Sequence, residues 1–256
     1  MSAQKPTIAL DQTEEALNQL GLTFAAEALS DVLSEAVKAN QAPHRFLDTL
    51  LKLELERRNS RRVKTSLRLS GLPVGPTLGN FDWSFQPSVN RQQVETLATC
   101  GFIREGGSVL LSGPPGVGKT HLAIGLGVRS VEQGFSVAYY RLDDLLHAMK
   151  RDAELPPARL RRKRYLKTGL LIIDEMGFQP MERDEASLFF RMVSYRYERG
   201  GSLVITTNKS VKDWAEILAG DEAMTAALLD RLLHRCHVLH IRGQSYRLRE
   251  LQKLLK

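Results

Sequence analysis

Residues Gly113, Pro114, Pro115, Gly116, Val117, Gly118, Lys119 and Thr120 spell G-x-x-x-x-G-K-T, a spacing suited to gripping a polyphosphate. Without a Cβ at the glycines, the backbone can curl so that successive N–H groups point at phosphate oxygens, backed by the positive end of the following helix. Lys119 is then placed to reach the β- and γ-phosphates and the Thr120 hydroxyl to ligate Mg²⁺; His121 is counted with the nucleotide-binding residues. A chance Gly/Pro turn would lack the apolar strand before it (Val109, Leu110, Leu111) and the helical pattern after it (Leu122, Ala123, Ile124, Leu126, Val128).

A second group of candidates closes the apolar run Leu170–Ile173. Asp174 is suited to holding Mg²⁺ directly or through water, and Glu175 to polarising an attacking water. The pair lies 55 residues beyond Lys119 with one strand and one helical crossover between. Asn208 ends a further buried strand, over 202–208. Ligands gather at the carboxyl ends of parallel strands, so Asn208 is expected to face the same site as Gly113 and Asp174 and to position the water or sense the γ-phosphate. A capping role at a strand-to-helix turn is its plainer alternative.

Two basic stretches suggest a polyanion. Arg57, Arg58, Arg61, Arg62 and Lys64 fall in a run from Lys52 to Arg68 whose acids are Glu54 and Glu56. Arg159, Arg161, Arg162, Lys163 and Arg164, with Lys167, form a cluster without an acid among them; such cations repel one another unless an outside anion answers them. Both are read as contacts to a DNA backbone, with a solvated helix face as the bland alternative. The formal net charge of +7 agrees with a polyanionic partner.

Composition excludes several classes. The chain has 256 residues, 43% of them hydrophobic and 25% charged, enough for one large domain or a core with a small appendage. Met1 to Glu15 carries no apolar signal core, and no apolar run approaches the roughly 20 residues of a membrane span, so a cytoplasmic protein is expected. Cys100 and Cys236 are too few for a disulfide framework and are expected to stay reduced. His234, Cys236, His237 and His240 alternate along a short strand at a spacing unlike zinc sites, and no metal is assigned to them.

The elements that must position these residues can be read from periodicity. Leu17, Leu20, Phe24, Leu29, Val32, Leu33, Ala36 and Val37 mark two amphipathic helices broken near Gly21. A third starts at Pro43 and is expected to bury Phe46, Leu47, Leu50 and Leu51. Residues 70–80, with three glycines and two prolines, read as a linker. Phe81 and Trp83 follow, either core aromatics or neighbours of a nucleotide base, and then a helix over about 91–100. A strand over 136–140 precedes a helical stretch from Arg141 to Lys167, interrupted at Pro156-Pro157. The unbroken apolar run at 170–173 implies a strand covered on both faces. A helix over 186–199, a helix over 221–233, a strand over 236–241 and a short terminal helix opened by Gly243–Arg247 complete the pattern. The expected fold is α/β: a three-layer core with a parallel sheet over 81–256, and a small all-helical DNA-binding domain over 1–69.

Taken together, residues 113–123, 170–177, 195–199 (Tyr-Arg-Tyr-Glu-Arg), 205–208 (Ile-Thr-Thr-Asn), 229–234 (Leu-Asp-Arg-Leu-Leu-His) and 243–247 (Gly-Gln-Ser-Tyr-Arg) resemble the IstB family, the AAA+ ATPases that accompany insertion-sequence transposases. The resemblance implies a P-loop AAA+ fold, ATP and Mg²⁺, a ring or spiral of copies on duplex DNA, and a partner transposase whose target choice or integration is regulated, with hydrolysis driving disassembly. It implies a trans-acting arginine at Arg231 and a second nucleotide sensor at Arg247, although too few residues follow Ile241 for a helical lid. A DnaC-like replicative helicase loader, acting on single-stranded DNA, is the alternative. A scaffold that binds ATP without hydrolysing it is another, and a small-molecule P-loop kinase fits less well because no acceptor pocket is apparent.

Overall fold

The computed structural model describes residues 10–249. In chain order its helices and strands are α1 (Asp11–Gln19), α2 (Thr23–Lys38), α3 (Pro43–Ser70), α4 (Arg91–Leu97), α5 (Gly101–Arg104), β1 (Ser108–Ser112), α6 (Lys119–Glu132), β2 (Val137–Arg141), α7 (Leu142–Asp152), α8 (Pro157–Leu160), α9 (Arg164–Lys167), β3 (Leu170–Met176), α10 (Arg183–Glu198), β4 (Ser202–Thr207), α11 (Trp214–Ile217), α12 (Glu222–Leu233) and β5 (Cys236–His240). The chain divides into two compact units between Thr65 and Ser66, within α3. Residues 246–249 are helical. The rest of the expected terminal helix, and with it the question of a lid, lies outside the described residues.

The N-terminal unit is three helices around a small core of Ala25, Leu29 and Leu50, with Leu17, Val32 and Phe46 packed against it. Leu47 and Leu51, expected inside, are 51% and 39% exposed. A bundle this small covers only a narrow stripe of α3, and Leu50 lies on that stripe while Leu47 and Leu51 flank it. The unit is tied by a buried carboxylate. The Ala25 N–H donates to Glu54 Oε2 at 2.8 Å, and Arg58 Nε donates to Glu54 Oε1 at 2.6 Å while its Nη2 reaches the Gly21 carbonyl. Burial alone would raise the Glu54 carboxyl, but the Ala25 N–H and the Arg58 guanidinium outweigh it and hold the pKa below the ordinary value. A depressed acid stabilises the fold fully above its unfolded value of about 4.3 and loses that contribution as pH falls through the lower folded value. Glu54→Ala is expected to cost the unit about 1–3 kcal/mol near pH 7, with the difference from the parent vanishing in acid. Amide exchange of α2 at both pH values measures this.

In the second unit five parallel strands run in the order β2-β3-β4-β1-β5. Alternate residues serve opposite faces. Leu110, Leu171, Ile173, Leu203 and Ile205 join a core with Leu145, Met149, Phe189, Met192 and Leu228 from α7, α10 and α12. Ile172 faces α6 at Gly127. This is the expected three-layer α/β core.

Two boundaries differ from the sequence-based expectation. Residues 70–80 belong to the second unit from Ser66 onward and are not a free linker. Leu78 and Leu72 lie against α6 where glycines leave room, since a Cβ at Gly125 would meet Leu78 Cδ2 at 2.7 Å and one at Gly127 would meet Leu72 Cδ2 at 2.9 Å. After Ser70, Gly and Pro limit this segment to a single 3₁₀ turn at Leu78–Asn80, but they do not keep its leucines fully in water, and Leu72 and Leu78 are half-buried. The stretch from Arg141 to Lys167 is interrupted at Pro156-Pro157 as expected, the second proline starting α8, but Arg141 is the last residue of β2 and a second break after Leu160 sets α9 apart.

Candidate functional site

The carboxyl end of β1 passes through residues 113–118 into α6, as the phosphate-cradle pattern requires. Gly113 and Gly116 have φ of 148° and 80°, and neither position tolerates a side chain: a Cβ would lie 2.1 Å from the Ile241 carbonyl at 113 and 2.0 Å from Ser245 Oγ at 116. The loop is therefore clamped by the segment after β5, and the Tyr246 N–H donates to the Gly116 carbonyl at 2.9 Å. Lys119 Nζ donates to the carbonyls of Gly113 and Pro114, both at 2.7 Å. Burial lowers the Lys119 pKa below its ordinary value, Asp174 opposes the shift and Arg247 adds to it. A desolvated ammonium held in a glycine cradle beside a second cation is an arrangement that an anion completes.

Asp174 lies beside this loop at the end of β3. It accepts from Thr120 Oγ1 at 2.9 Å, from Thr206 Oγ1 at 2.5 Å and from the Tyr139 hydroxyl at 2.7 Å. Burial and the hydrogen bond to Asp174 raise the Tyr139 pKa, keeping it a donor. Next in sequence, Glu175 would point to the opposite face of a regular strand. Instead the β3–β4 register shifts between Ile173 and Met176, Glu175 takes φ 63°, and its N–H donates to Thr206 Oγ1 at 2.9 Å. The bulge re-aims the carboxylate, which pairs with Arg141 at the end of β2. Thr206, Tyr139 and Arg141 were not singled out from the sequence. Thr206 lies in the quoted Ile-Thr-Thr-Asn block, but Tyr139 reads as one more strand residue and Arg141 as the start of a helix. Asn208 follows β4 directly and is exposed; the Gly113 N–H donates to the carbonyl of its neighbour Thr207 at 3.2 Å, so the strand ends carrying Gly113, Asp174 and Asn208 adjoin.

A cavity of about 330 Å³ opens beside the loop, lined by Phe81, Asp82, Gln86, residues 116–121, Tyr246 and Arg247 among others. Phe81 is buried with its ring against Gly118, so it is both a core aromatic and a wall of this cavity. His121 Nε2 lies 2.8 Å from the Thr77 carbonyl and 3.0 Å from Asn80 Oδ1, pinning the 77–80 turn. Trp83 packs edge-on against Phe81. The clustered oxygens of Thr120 and Asp174 suit a hard divalent cation.

Arg231 is elsewhere. It is half-buried near the end of α12, donates to the Ala227 carbonyl at 2.7 Å and stacks on Phe190 at 5.2 Å. It lines a hollow with Gly106, Ser108, Gly201 and Leu203, at the amino ends of β1 and β4. The length of β1, roughly 13 Å at 3.3 Å per residue, separates it from the phosphate loop of its own chain.

The basic stretches are more occupied than their sequence suggests. Arg58 is spent on Glu54 and Gly21, while Arg57, Arg61 and Lys64 are exposed, and Arg62 bonds Asn59 Oδ1 at 2.8 Å. Lys163 pairs with Asp152 at 2.8 Å, an acid supplied by α7 rather than by the cluster itself, and Arg164 Nη2 donates to the Val137 carbonyl at 3.2 Å. Arg159, Arg161 and Arg162 are exposed. Of the residues considered for zinc, His240 Nδ1 lies 3.0 Å from Ser112 Oγ, His234 stacks edge-on against Tyr197, and Cys236 packs against the core. No helix of the described residues is long and apolar enough to cross a membrane.

Comparison with known proteins adds to this geometry. Residues 15–254 match the model of the family described as IstB-like ATP binding protein. The chain is 38% identical over 244 residues to an ATP-binding protein of insertion sequence IS21 from Pseudomonas aeruginosa, covering 95% of this chain and 91% of that one. It is 35% identical over 240 residues to an ATP-binding protein of insertion sequence IS5376 from Geobacillus stearothermophilus, covering 94% and 95%. Among solved structures, the DnaC helicase loader superposes with a TM-score of 0.51 at 23% identity, over 59% of this chain and 87% of that one. The replication initiator DnaA bound to AMPPCP and single-stranded DNA gives 0.55 at 20% identity, over 72% and 56%. At those identities the superpositions show a shared fold.

Proposed function

The chain belongs to the IstB-like ATP-binding family of insertion sequences and is a P-loop ATPase of the AAA+ type, and from that premise we propose that it is a cytoplasmic ATP-dependent regulator of transposition that oligomerises on duplex DNA and assists a partner transposase. The position of Arg231 carries the reading. A guanidinium at the amino ends of the strands, far from its own phosphate loop, suits a group that completes a neighbour's site. Insertion-sequence relatives spanning nearly the whole chain favour a transposition helper over a helicase loader, since the loader shares the fold at low identity.

In this mechanism the backbone N–H groups of Gly116, Val117, Gly118 and Lys119, together with the Lys119 ammonium, hold the triphosphate, while Pro114 and Pro115 shape the loop without an N–H to offer. Lys119 exchanges its two carbonyl partners for phosphate oxygens. Mg²⁺, when bound, would be held by the Thr120 hydroxyl and the Asp174 carboxylate and would neutralise charge on the phosphates. Tyr139 and Thr206 fix the Asp174 carboxylate by donating to it. Glu175 takes the proton of the attacking water, Asn208 orients that water, and Arg247 contacts the nucleotide from the segment after β5. Arg231 of the adjacent copy neutralises charge on the transferring phosphoryl group. The exposed cations Arg57, Arg61 and Lys64, and Arg159, Arg161 and Arg162, contact the DNA backbone without reading bases, and hydrolysis loosens the assembly.

Electron microscopy and duplex binding, with and without a non-hydrolysable ATP analogue, test the reading. The parent is expected to coat duplex only with nucleotide, with an affinity that falls steeply as salt rises. Lys119→Ala should abolish coating. Equal affinity and stoichiometry without nucleotide, or in Lys119→Ala, would overturn the proposal.

A further inference from the structure

Beside the nucleotide cavity, one of its lining residues holds a buried polar atom that the mechanism leaves unused. Gln86 is 3% exposed and lines the cavity together with Phe81, Tyr246 and Arg247. Its Nε2 donates to the Gln244 carbonyl at 2.9 Å. A carbonyl can only accept, so that bond fixes the amide nitrogen on Gln244 and leaves Oε1 as the group the side chain can still offer. Oε1 is buried and has no donor. Gly243, at φ 143°, allows this packing, since a Cβ there would come within 2.6 Å of Oε1.

The amide and carboxylate oxygens of Asn80 and Asp82 in the same wall are taken. Asn80 Oδ1 accepts from the Thr77 N–H at 2.8 Å and the Thr77 hydroxyl at 3.0 Å, with His121 Nε2 also 3.0 Å away. The Asp82 carboxylate accepts from Ser84 Oγ, the Phe85 N–H and Arg249. Gln86 Oε1 is therefore the buried side-chain acceptor without a donor among the described residues of that wall. A buried acceptor without a donor is costly, and a ligand that supplies the donor relieves the cost.

We infer that Gln86 is a specificity residue of this site, reading the 6-position of a purine base and selecting adenine over guanine. This rests on the triphosphate-binding reading above. Adenine carries an amino group at position 6, whose N–H can donate to Oε1. Guanine carries a carbonyl there, which would set two acceptors against each other. Phe81, with its ring against Gly118, supplies the apolar face such a base needs.

The test is competition for a fluorescent ATP analogue, using ATP, GTP and purine riboside triphosphate, which has hydrogen in place of the 6-amino group. The unmodified protein is expected to bind ATP about tenfold tighter than purine riboside triphosphate, and GTP more weakly than either. Gln86→Met should bring the ATP to purine riboside triphosphate ratio close to one while leaving the affinity for purine riboside triphosphate within about threefold. Equal binding of ATP and purine riboside triphosphate by the unmodified protein overturns the inference, and that comparison needs no variant to fold. A ratio left unchanged by Gln86→Met overturns it as well. Absence of binding to all three triphosphates would instead remove the nucleotide reading itself.

Discussion

Arg231→Ala protein is expected to bind nucleotide as tightly as the parent, to assemble on duplex, and to hydrolyse ATP slower by on the order of 10³- to 10⁵-fold. The expectation follows from where the side chain sits. Arg231 lines a hollow with Ser108 and Leu203, at the end of the sheet opposite Lys119, so its loss leaves its own phosphate loop intact. Glu175→Gln should also be inactive, for the different reason that the group accepting the water's proton is gone within the same subunit. Mixing separates the two. In an assembly of Arg231→Ala and Glu175→Gln copies, an interface that pairs the intact Glu175 of the first with the intact Arg231 of the second is complete. Random pairing in an equal mixture makes about a quarter of the interfaces complete, so phosphate release should recover in proportion. Turnover by Arg231→Ala at the parental rate, or mixed assemblies that form but stay silent, would exclude a trans-acting role.

Arg196→Met is expected to cost about 3–5 kcal/mol of stability and, at this chain length, to lower Tm by roughly 10 °C. Arg196 is 1% exposed. Its guanidinium donates to the carbonyls of Tyr165, Thr168, Gly169 and Ser202 at 2.7–3.2 Å, and burial brings its pKa down to about 10. No carboxylate is needed, because carbonyls at the end of α9 and at the starts of β3 and β4 present their negative ends to one cation. Removing the fork strands those acceptors and unties the segment bearing Arg159, Arg161 and Arg162 from the sheet. Lysine should not rescue it, since one ammonium cannot span the same carbonyls. Thermal unfolding measures the loss, and proteolysis within residues 157–167 should accelerate with it. Unchanged melting would show that the carbonyls find other donors.

Much of the fold was legible because its signals are local. Apolar runs bounded by glycines marked β1, β3 and β4, helical spacing marked α2, α6 and α12, and the G-x-x-x-x-G-K-T pattern names its own strand–loop–helix context. The acidic pair Asp174-Glu175 was legible for the same reason. Legibility ended where a residue's role depends on what arrives from elsewhere in the chain. Arg58 reads as one more surface cation until α2 brings Ala25 to Glu54. Lys163 reads as unanswered until α7 supplies Asp152. Residues 70–80 read as a linker because composition reports backbone freedom, whereas the half-burial of Leu72 and Leu78 depends on the glycines of α6.

By itself, then, the sequence determined the chemistry available: a phosphate-gripping loop, a hard-oxygen pair beside it, an excess of cations and a parallel sheet to align them, all written in residue types a few positions apart. The tertiary structure decided what each group faces. A bulge and a left-handed Glu175 turn two neighbouring carboxylates to one site, packing from Ile241 and Ser245 makes Gly113 and Gly116 obligatory twice over, and a Gln244 carbonyl leaves Gln86 with a lone acceptor in the cavity wall. Such outcomes are set by contacts between segments from 31 to 158 residues apart, and no local pattern encodes them.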